Sequence, residues 1–191
     1  MAWKPLLAGI VQKLVPYKLV TTPLPKKAVL IGAPHTSYFD GLLMVIGLFA
    51  ANRKFRFLVK DSAVNSPFGP LIRALGGIAV DRSSPHGVVK QITDMFAEND
   101  EFILVLAPKG TRAPKPYWRS GFYHIARGAK VPVVLGFIDA QYRKCYGWEE
   151  SMELSGDIRK DMDYIRSFYE ETSGINPERF SLPRLKGEEE L

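Results

Sequence analysis

A histidine and an aspartate five positions apart form the first pair in the chain that could carry out chemistry. They lie in PHTSYFD, residues 34–40, directly after the apolar run AVLIGA at residues 28–33. If the turn between them brings Asp40 back to His35, the carboxylate accepts Nδ1–H and leaves Nε2 free as a general base. The alternative is a loop histidine followed by a helix cap. For an isolated match to this spacing, the alternative is favoured.

A second group of candidate residues is basic and lies in LAPKGTRAPKPYWRSG, residues 106–121. Gly110 frees the backbone, Thr111 adds a hydroxyl, and cations come from Lys109, Arg112 and the two that come after them. A glycine-containing turn that ends in arginine suits a phosphate. The segment is not a P-loop, because the G-x-x-x-x-G-K-[ST] pattern is absent. A basic surface loop remains an equal alternative.

Two further cations end strand-like runs. Arg82 closes GGIAVDR beside Asp81, and Lys60 closes KFRFLVK. Both are candidate phosphate ligands. For Arg82 the alternative is a surface ion pair with its neighbour, worth about 0–1 kcal/mol.

Other kinds of site find little support in the sequence. No GxSxG elbow is present, and the single cysteine, Cys145, lies far along the chain from His35. Direct activation of a substrate hydroxyl is therefore favoured over a covalent intermediate. Three histidines without an HExxH pattern or a paired cysteine predict no metal site.

Short β-like runs alternate with helical patterns along the chain, which predicts an α/β domain with a largely parallel or mixed sheet. The predicted strands are residues 28–33, 54–59, 76–80, 102–107 and 131–138, and the predicted helices are 39–51, 84–99, 120–130 and 156–171. In such sheets, sites collect where the strands end. His35 comes after the first strand and Lys109 after the fourth, so we expect both at one edge of the sheet.

The charge is uneven along the chain. The formal net charge is +6, but residues 1–75 hold ten Lys and Arg against two Asp and Glu, while residues 141–191 hold eight against twelve. A basic amino-terminal portion favours an anionic partner: a phosphate-bearing substrate, a membrane surface or nucleic acid. A solvated basic face is the alternative. Nucleic acid is the weakest of these, because the alternation in KFRFLVK is more typical of a strand.

Residues 1–20 have the pattern of a short amphipathic helix. Apolar residues recur at helical spacing with lysines around them, and Pro16 limits the helix to about three turns. The apolar positions are Trp3, Leu6, Leu7, Ile10, Val11, Leu14 and Val15. No stretch approaches the roughly 20 apolar residues of a membrane span. The helix either lies in a bilayer interface or packs on its own domain, and the two remain open.

Taken in order, these segments resemble the glycerolipid acyltransferase family, the 1-acylglycerol-3-phosphate acyltransferases and their relatives. His35 and Asp40 match the HxxxxD block, GGIAVDR matches the block that ends in arginine, and APKGTR stands where the family has PEGTR. VPVVLGF, residues 131–137, matches the later apolar block. The likeness covers residues 25–172, and four blocks in order are far more specific than any one of them.

The resemblance implies a layered α/β/α acyltransferase domain at residues 21–175, between the helix at 1–20 and a tail at 176–191. It implies an acyl-CoA or acyl-carrier-protein donor and a lysophospholipid-like acceptor. It also implies no cofactor, no metal and no nucleic acid. With the amino-terminal helix, it implies a cytoplasmic protein held peripherally at the cytoplasmic face of a membrane.

The resemblance also assigns roles to residues. His35 would deprotonate the acceptor hydroxyl, and Asp40 would orient it. The acceptor phosphate would be held by Arg82, Gly110, Thr111 and Arg112, with Lys60 and Lys109 as further candidates. The apolar residues around Phe68, Leu71 and Leu75 are candidates for an acyl groove.

Lys109 departs from the family pattern, which has glutamate at this position. The reversed charge beside the phosphate cluster predicts one of two outcomes. Either the chain is a weakened or inactive lipid-binding relative, or Lys109 suits a more anionic acceptor or another acceptor pose.

Overall fold

A seven-stranded sheet runs through the middle of the molecule, whose structure is a computed structural model that describes residues 3–81 and 84–188. The strands are β1 Lys18–Thr21, β2 Lys27–Ala33, β3 Phe55–Lys60, β4 Gly77–Val80, β5 Phe102–Leu106, β6 Val133–Asp139 and β7 Cys145–Met152. Their order in the sheet is β1-β7-β6-β2-β5-β3-β4. The β6–β7 pair is antiparallel and the other neighbours are parallel.

Helices cover both faces of the sheet. They are α1 Trp3–Leu14, α2 Tyr38–Ala50, α3 Asp61–Val64, α4 Gly69–Ala74, α5 Pro85–Glu98, α6 Gly121–Ala129 and α7 Ile158–Glu170, with a 3₁₀ turn at Pro177–Arg179. One core joins α1 and α2 to the sheet, and the other joins α5, α6 and α7 to the opposite face. The predicted layered α/β/α architecture with a mostly parallel sheet is confirmed.

The central strand β2 supplies side chains to both cores. Val29 and Ile31 face α5–α7, while Ala28 and Leu30 face α1 and α2, and all four are fully buried. A strand that is covered on both faces needs apolar residues at every position rather than at alternate ones. This explains why AVLIGA is a continuous apolar run.

The five predicted strands and the four predicted main helices are all present, with bounds that differ by a few residues. The sequence reading missed β1 and β7. In β7 the first four residues are buried, and three of the last four are charged or polar. This strand lies beside β1, where the carbonyl of Val20 comes within 1.8 Å of the position that a Cβ on Gly147 would take. Gly147 is also at φ +141°, so the close pairing requires glycine.

The amino-terminal helix α1 packs on its own domain and still exposes apolar side chains. Ala8 is buried against α2, and the ring of Trp3 meets that of Phe49 edge-on at 5.9 Å. On the other side, Leu6 is 68% exposed and Leu14 is 79% exposed. Within the described ranges, no helix is both long enough and apolar enough to cross a bilayer.

The carboxyl ends of the parallel strands meet at one edge of the sheet. β2 leads into residues 34–40, here the His35 loop, and β5 leads into residues 107–120, here the Lys109 loop. After α7 the chain returns to this edge, where the amide of Gly174 donates to the carbonyl of Ile138 at the end of β6. The edge therefore gathers three segments that are far apart in the sequence.

Candidate active site

Asp40 is held in place by the start of helix α2. Ser37 is the N-cap, and its hydroxyl accepts the N–H of Phe39 at 3.1 Å. Asp40 stands at the third helical position, and its Oδ2 accepts the N–H of Ser37 at 2.8 Å and that of Thr36. Asp40 is therefore the N3 residue of a capping box, whose side chain accepts the backbone N–H of the N-cap, rather than the N-cap considered from the sequence.

His35 lies next to this carboxylate. Its backbone is at φ +35°, a conformation that residues other than glycine seldom adopt and that is often found at functional sites. Nδ1 lies 3.7 Å from Oδ2 of Asp40, which is a charge contact but too long for a hydrogen bond. The expected Nδ1–H bond to Asp40 is therefore not formed in this conformation.

The second carboxylate oxygen of Asp40 is the more unusual one. Oδ1 is buried and has no hydrogen-bond partner within residues 3–81 and 84–188. A buried charged oxygen without a partner is costly. Oδ2 makes both the contacts to the start of the helix and the charge contact to His35, while Oδ1 is available to a donor such as a rotated imidazole.

The electrostatics of the site keep His35 neutral. Burial lowers the pKa of His35 most, and Lys109 and Arg112 lower it further, while Asp40 opposes them. The net pKa lies below the usual 6.5. A general base must be unprotonated when its substrate arrives, so these surroundings favour that role near neutral pH.

Lys109 reaches the site but does not present a free ammonium group to it. The residue is 3% exposed, and its Nζ donates to the backbone carbonyl of Arg179 at 2.7 Å. Burial lowers the pKa of Lys109, Asp40 raises it, and Arg179 lowers it. The ammonium is thus close enough to His35 and Asp40 to act on both by charge, while its hydrogen bond is made elsewhere.

The rest of the Lys109 loop lies against the His35 loop. The guanidinium of Arg112 sits 3.5 Å from the centre of the Tyr38 ring. Gly110 is at φ +68°, and a Cβ there would lie 3.0 Å from Nε of Arg119. The hydroxyl of Thr111 accepts the N–H of Ala113 at 3.3 Å. Gly110 lines the same cavity as His35, and Arg112 is close enough to act on His35 by charge, as expected from the strand order.

The structure does not bring Lys60 or the predicted acyl-groove residues into the same group. Lys60 is exposed at the end of β3, and β5 lies between β3 and β2. Arg82 lies outside the described residues. Phe68 and Leu71 are 69% and 58% exposed on or beside α4, and neither they nor Leu75 line the cavity at the site.

A cavity of about 1000 Å³ opens beside His35 and Asp40. Its walls are mainly apolar and come from both faces of the sheet. They include Met44, Val45, Leu48, Phe55 and Phe57 on one side and Val80, Val88, Val89, Phe122 and Ile125 on the other. The sequence reading did not find this lining. The one sequence signal for it was the run FDGLLMVIGLFAA. This helix is apolar on all sides, which is more than a helix with a single buried face needs.

A segment after α7 contacts both loops. Thr36 Oγ1 accepts the amides of Ile175 and Asn176 at 3.1 and 3.0 Å, and Asn176 Nδ2 donates to the Thr36 carbonyl at 3.1 Å. We name residues 174–181 the C-terminal strap. Sequence reasoning missed it, because these partners are up to 140 positions apart.

The described residues contain no group of three or more His, Cys, Asp or Glu side chains placed to hold a metal ion. Cys145 is 3% exposed in β7, and burial raises the pKa of its thiol. A buried thiol with a raised pKa is a poor nucleophile. Cys145 is therefore not placed or activated for covalent catalysis.

Comparison with known proteins bears on both the fold and the family. The chain resembles the crystal structure of the 1-acyl-sn-glycerophosphate (LPA) acyltransferase PlsC from Thermotoga maritima. The TM-score is 0.56 and the identity is 15%, over 87% of this chain and 75% of that one. A search among curated proteins finds no significant match. A family model described as Acyltransferase matches residues 18–135, more than half of the 191 residues. The family resemblance read from the motifs is thereby confirmed: the chain belongs to the Acyltransferase family.

Proposed function

We propose that this protein is an O-acyltransferase that moves a fatty acyl group from acyl-CoA or acyl-carrier protein to a hydroxyl of a phosphate-bearing acceptor. The acceptor is lysophosphatidate or a related molecule. The observation that carries the proposal is the position of a neutral His35 beside Asp40, at an apolar cavity and next to Arg112. The site thus combines a base, an apolar volume and a cation. Family membership and the fold shared with PlsC support the same chemistry.

The chemistry needs one base and no covalent acyl-enzyme. Nε2 of His35 takes the proton of the acceptor hydroxyl while the hydroxyl oxygen attacks the thioester carbonyl. The tetrahedral intermediate then collapses, the carbon–sulfur bond breaks, and the imidazolium returns the proton to the leaving thiolate. Asp40, at 3.7 Å, stabilises the imidazolium by charge.

The acceptor phosphate binds at the Lys109 loop. Arg112 supplies a charge-assisted donor, and Gly110 and Thr111 supply backbone and hydroxyl groups. The stacking of Arg112 on Tyr38 holds its guanidinium plane beside the His35 loop. Lys60, exposed at the end of β3, is a further candidate for this phosphate, and Arg82 remains a candidate from the sequence motif.

The acyl chain occupies the apolar cavity. Fully burying a side chain as large as leucine contributes about 1.5–3 kcal/mol, and a fatty chain buries several times that apolar area. The cavity volume of about 1000 Å³ supports this assignment.

Membrane contact is made by the face of the sheet that carries α1 and α2. The exposed apolar side of α1 supplies Leu6 and Leu14. Helix α4 lies on the same face, because a Cβ on Gly77 would meet Ile72 at 2.5 Å and Gly77 points away from the α5–α7 core. Its exposed Leu71 adds to the surface. We place the protein peripherally at the cytoplasmic face of a membrane, where the basic residues 1–75 meet anionic lipid.

The second candidate function is a lipid-binding relative with little or no turnover. Lys109 in place of glutamate favours it, as does the missing His35–Asp40 hydrogen bond.

A panel of thioesters and acceptors distinguishes the two candidates. Purified protein is mixed with acyl-CoA or acyl-carrier protein and with lysophosphatidate, glycerol 3-phosphate or a neutral lysolipid. Free thiol and acylated product are then measured. We expect equal amounts of thiol and acyl-lipid with a phosphate-bearing acceptor. Lipid binding without turnover for every pair would reject the enzyme and favour the binding protein.

A further inference from the structure

The C-terminal strap is fixed at one end to the His35 loop. Thr36 lies between His35 and Asp40 in the sequence and is fully buried. Its hydroxyl accepts two strap amides. A Cβ on Gly174 would lie 2.8 Å from both Thr36 Oγ1 and Pro34 Cγ, so the strap lies directly against this loop. The same hydroxyl lies 3.5 Å from Asp40 Oδ2. The strap is therefore one hydrogen bond away from the candidate catalytic carboxylate.

The other end of the strap is fixed to the Lys109 loop at two points. Lys109 Nζ donates to the carbonyl of Arg179 at 2.7 Å, and the amide of Lys115 donates to Ser181 Oγ at 2.9 Å. Within the described residues, Lys109 is the only residue of this loop whose side chain donates a hydrogen bond to the strap. A glutamate here has no proton to donate and would set a carboxylate against a carbonyl oxygen. The contact therefore requires a side chain that can donate a hydrogen bond, as lysine can and glutamate cannot.

We infer that Lys109 is a positioning residue: by donating to the Arg179 carbonyl it clamps the C-terminal strap across the two loops and so fixes Arg112 relative to His35. The inference rests on the proposed function for its effect on turnover, while the clamp itself is a property of the fold. It explains the departure from glutamate as part of how this chain builds its site. Lys109 then acts through Arg179 and does not contact the acceptor phosphate.

Hydrogen exchange tests the clamp without any substrate. We expect Lys109→Met, which keeps the apolar stem and removes the ammonium, to speed exchange of the strap amides at least about tenfold, because opening of this segment becomes easier. Exchange is followed at the amides of Ile175, Asn176 and Arg179. The first two donate to Thr36 Oγ1 in the His35 loop, and the third donates to the carbonyl of Asn176 within the strap. Unchanged exchange in the strap would overturn the inference.

A matched control separates the carbonyl from the side chain of Arg179. Arg179→Ala keeps the carbonyl that Lys109 uses and removes a side chain that is 49% exposed. We expect strap exchange close to wild type in this variant. Lys109→Arg, which can still donate to the carbonyl, should recover most of the protection that Lys109→Met loses. Equal damage from Arg179→Ala and Lys109→Met would contradict a clamp made through the carbonyl.

Steady-state kinetics separates positioning from phosphate binding. A clamp that orients groups for the transition state predicts that Lys109→Met lowers kcat at least about tenfold, with the KM for the acceptor nearly unchanged. A raised acceptor KM with unchanged kcat would make Lys109 a phosphate ligand and overturn the inference. If the wild-type protein shows no turnover with any pair, the proposed function fails, and the exchange experiment still decides whether the clamp exists.

The pH profile of kcat/KM is a further test. Loss of a charge beside His35 shifts the acidic limb in a defined direction, whereas a loosened fold alone does not. The charged groups that act on His35 are Asp40 from α2 and Lys109 and Arg112 from the Lys109 loop. Because the ammonium of Lys109 lowers the pKa of His35, its loss should move the acidic limb of kcat/KM to higher pH. A limb that stays in place or moves to lower pH would contradict the placement of Lys109 beside His35.

The opposite anchor offers an independent test. Thr36→Val removes the hydroxyl that accepts the amides of Ile175 and Asn176, while Thr36→Ser keeps it. We expect faster strap exchange in the valine variant alone. Because both anchors hold one segment, the loss of strap protection in the double variant Thr36→Val/Lys109→Met should differ from the sum of the two single losses. Additive losses would mean that the strap does not couple the two loops.

Discussion

At the scale of single residues, the account depends on the charges around His35. Burial and, to a smaller extent, two cations lower the pKa of His35 and so favour the neutral imidazole. One carboxylate 3.7 Å away raises this pKa. The carboxylate is itself held by the amides of Thr36 and Ser37. The same oxygen that completes the capping box of α2 therefore also raises the pKa of the imidazole against the larger effect of burial.

Asp40→Asn separates these two roles. The amide oxygen can still accept the loop amides, so we expect a loss of stability smaller than the roughly 0.5–2 kcal/mol of a removed cap. Turnover should fall at least about tenfold, because the imidazolium loses its counter-charge. The acidic limb of kcat/KM should move further below pH 6.5, since Asp40 raises the pKa of His35. Thermal melts and a pH–rate profile check both, and a limb that moves to higher pH would contradict the assignment.

At the scale of elements, the sequence predicts those strands and helices whose burial leaves a local pattern. Four of the five predicted strands are continuous apolar runs and β3 alternates, and their shared carboxyl edge brings His35 and Lys109 together as expected. β7 escapes detection because its second half is polar and its partner β1 has only four residues. The strap is not predicted because its hydrogen bonds join residues far apart in the sequence, and such bonds leave no local pattern.

The β1–β7 pairing makes a stability prediction. A Cβ on Gly147 would meet the carbonyl of Val20 at 1.8 Å and would require a left-handed backbone. We expect Gly147→Ala to lower the free energy of unfolding by at least about 2 kcal/mol, from strain and overpacking together.

Chemical denaturation measures this loss against a matched glycine. Gly9 in α1 has open space around the added methyl group. Gly9→Ala should be neutral or stabilising by up to about 1 kcal/mol, because alanine is the better helix former. Similar losses in both variants would show that the Val20 contact is not the cause.

At the scale of the whole molecule, net positive charge and exposed large apolar side chains are both concentrated in the amino-terminal 75 residues. The amino-terminal 75 residues hold ten of the 26 Lys and Arg but only two of the 20 Asp and Glu. They also build α1, α2 and α4, which share one face of the sheet. Helix α1 packs on α2 by one side, as the packing alternative predicts, and membrane contact through its exposed apolar side stays a prediction.

Membrane contact through α1 is tested by removing exposed apolar side chains without disturbing the packed side. Leu6, Ile10 and Leu14 are 68%, 53% and 79% exposed. We expect their joint replacement by serine to lower sedimentation with anionic liposomes at least about tenfold, since each loses apolar burial in the bilayer interface. The melting temperature should stay the same.

The control replaces exposed side chains elsewhere. Tyr142 and Tyr164 are 73% and 45% exposed in the carboxyl-terminal half. Changing both to serine should leave liposome binding unchanged. Equal binding by the α1 variant and wild type would assign α1 to packing alone.

The central claim is that His35 is the base for acyl transfer, and the rate of thiol release tests it most directly. His35→Ala is compared with wild type and with His124→Ala, which removes an exposed histidine on α6. The account predicts that His35→Ala lowers the rate at least about 10²-fold, as expected for loss of a general base, and that His124→Ala does not. Thiol release by His35→Ala at the wild-type rate would contradict it.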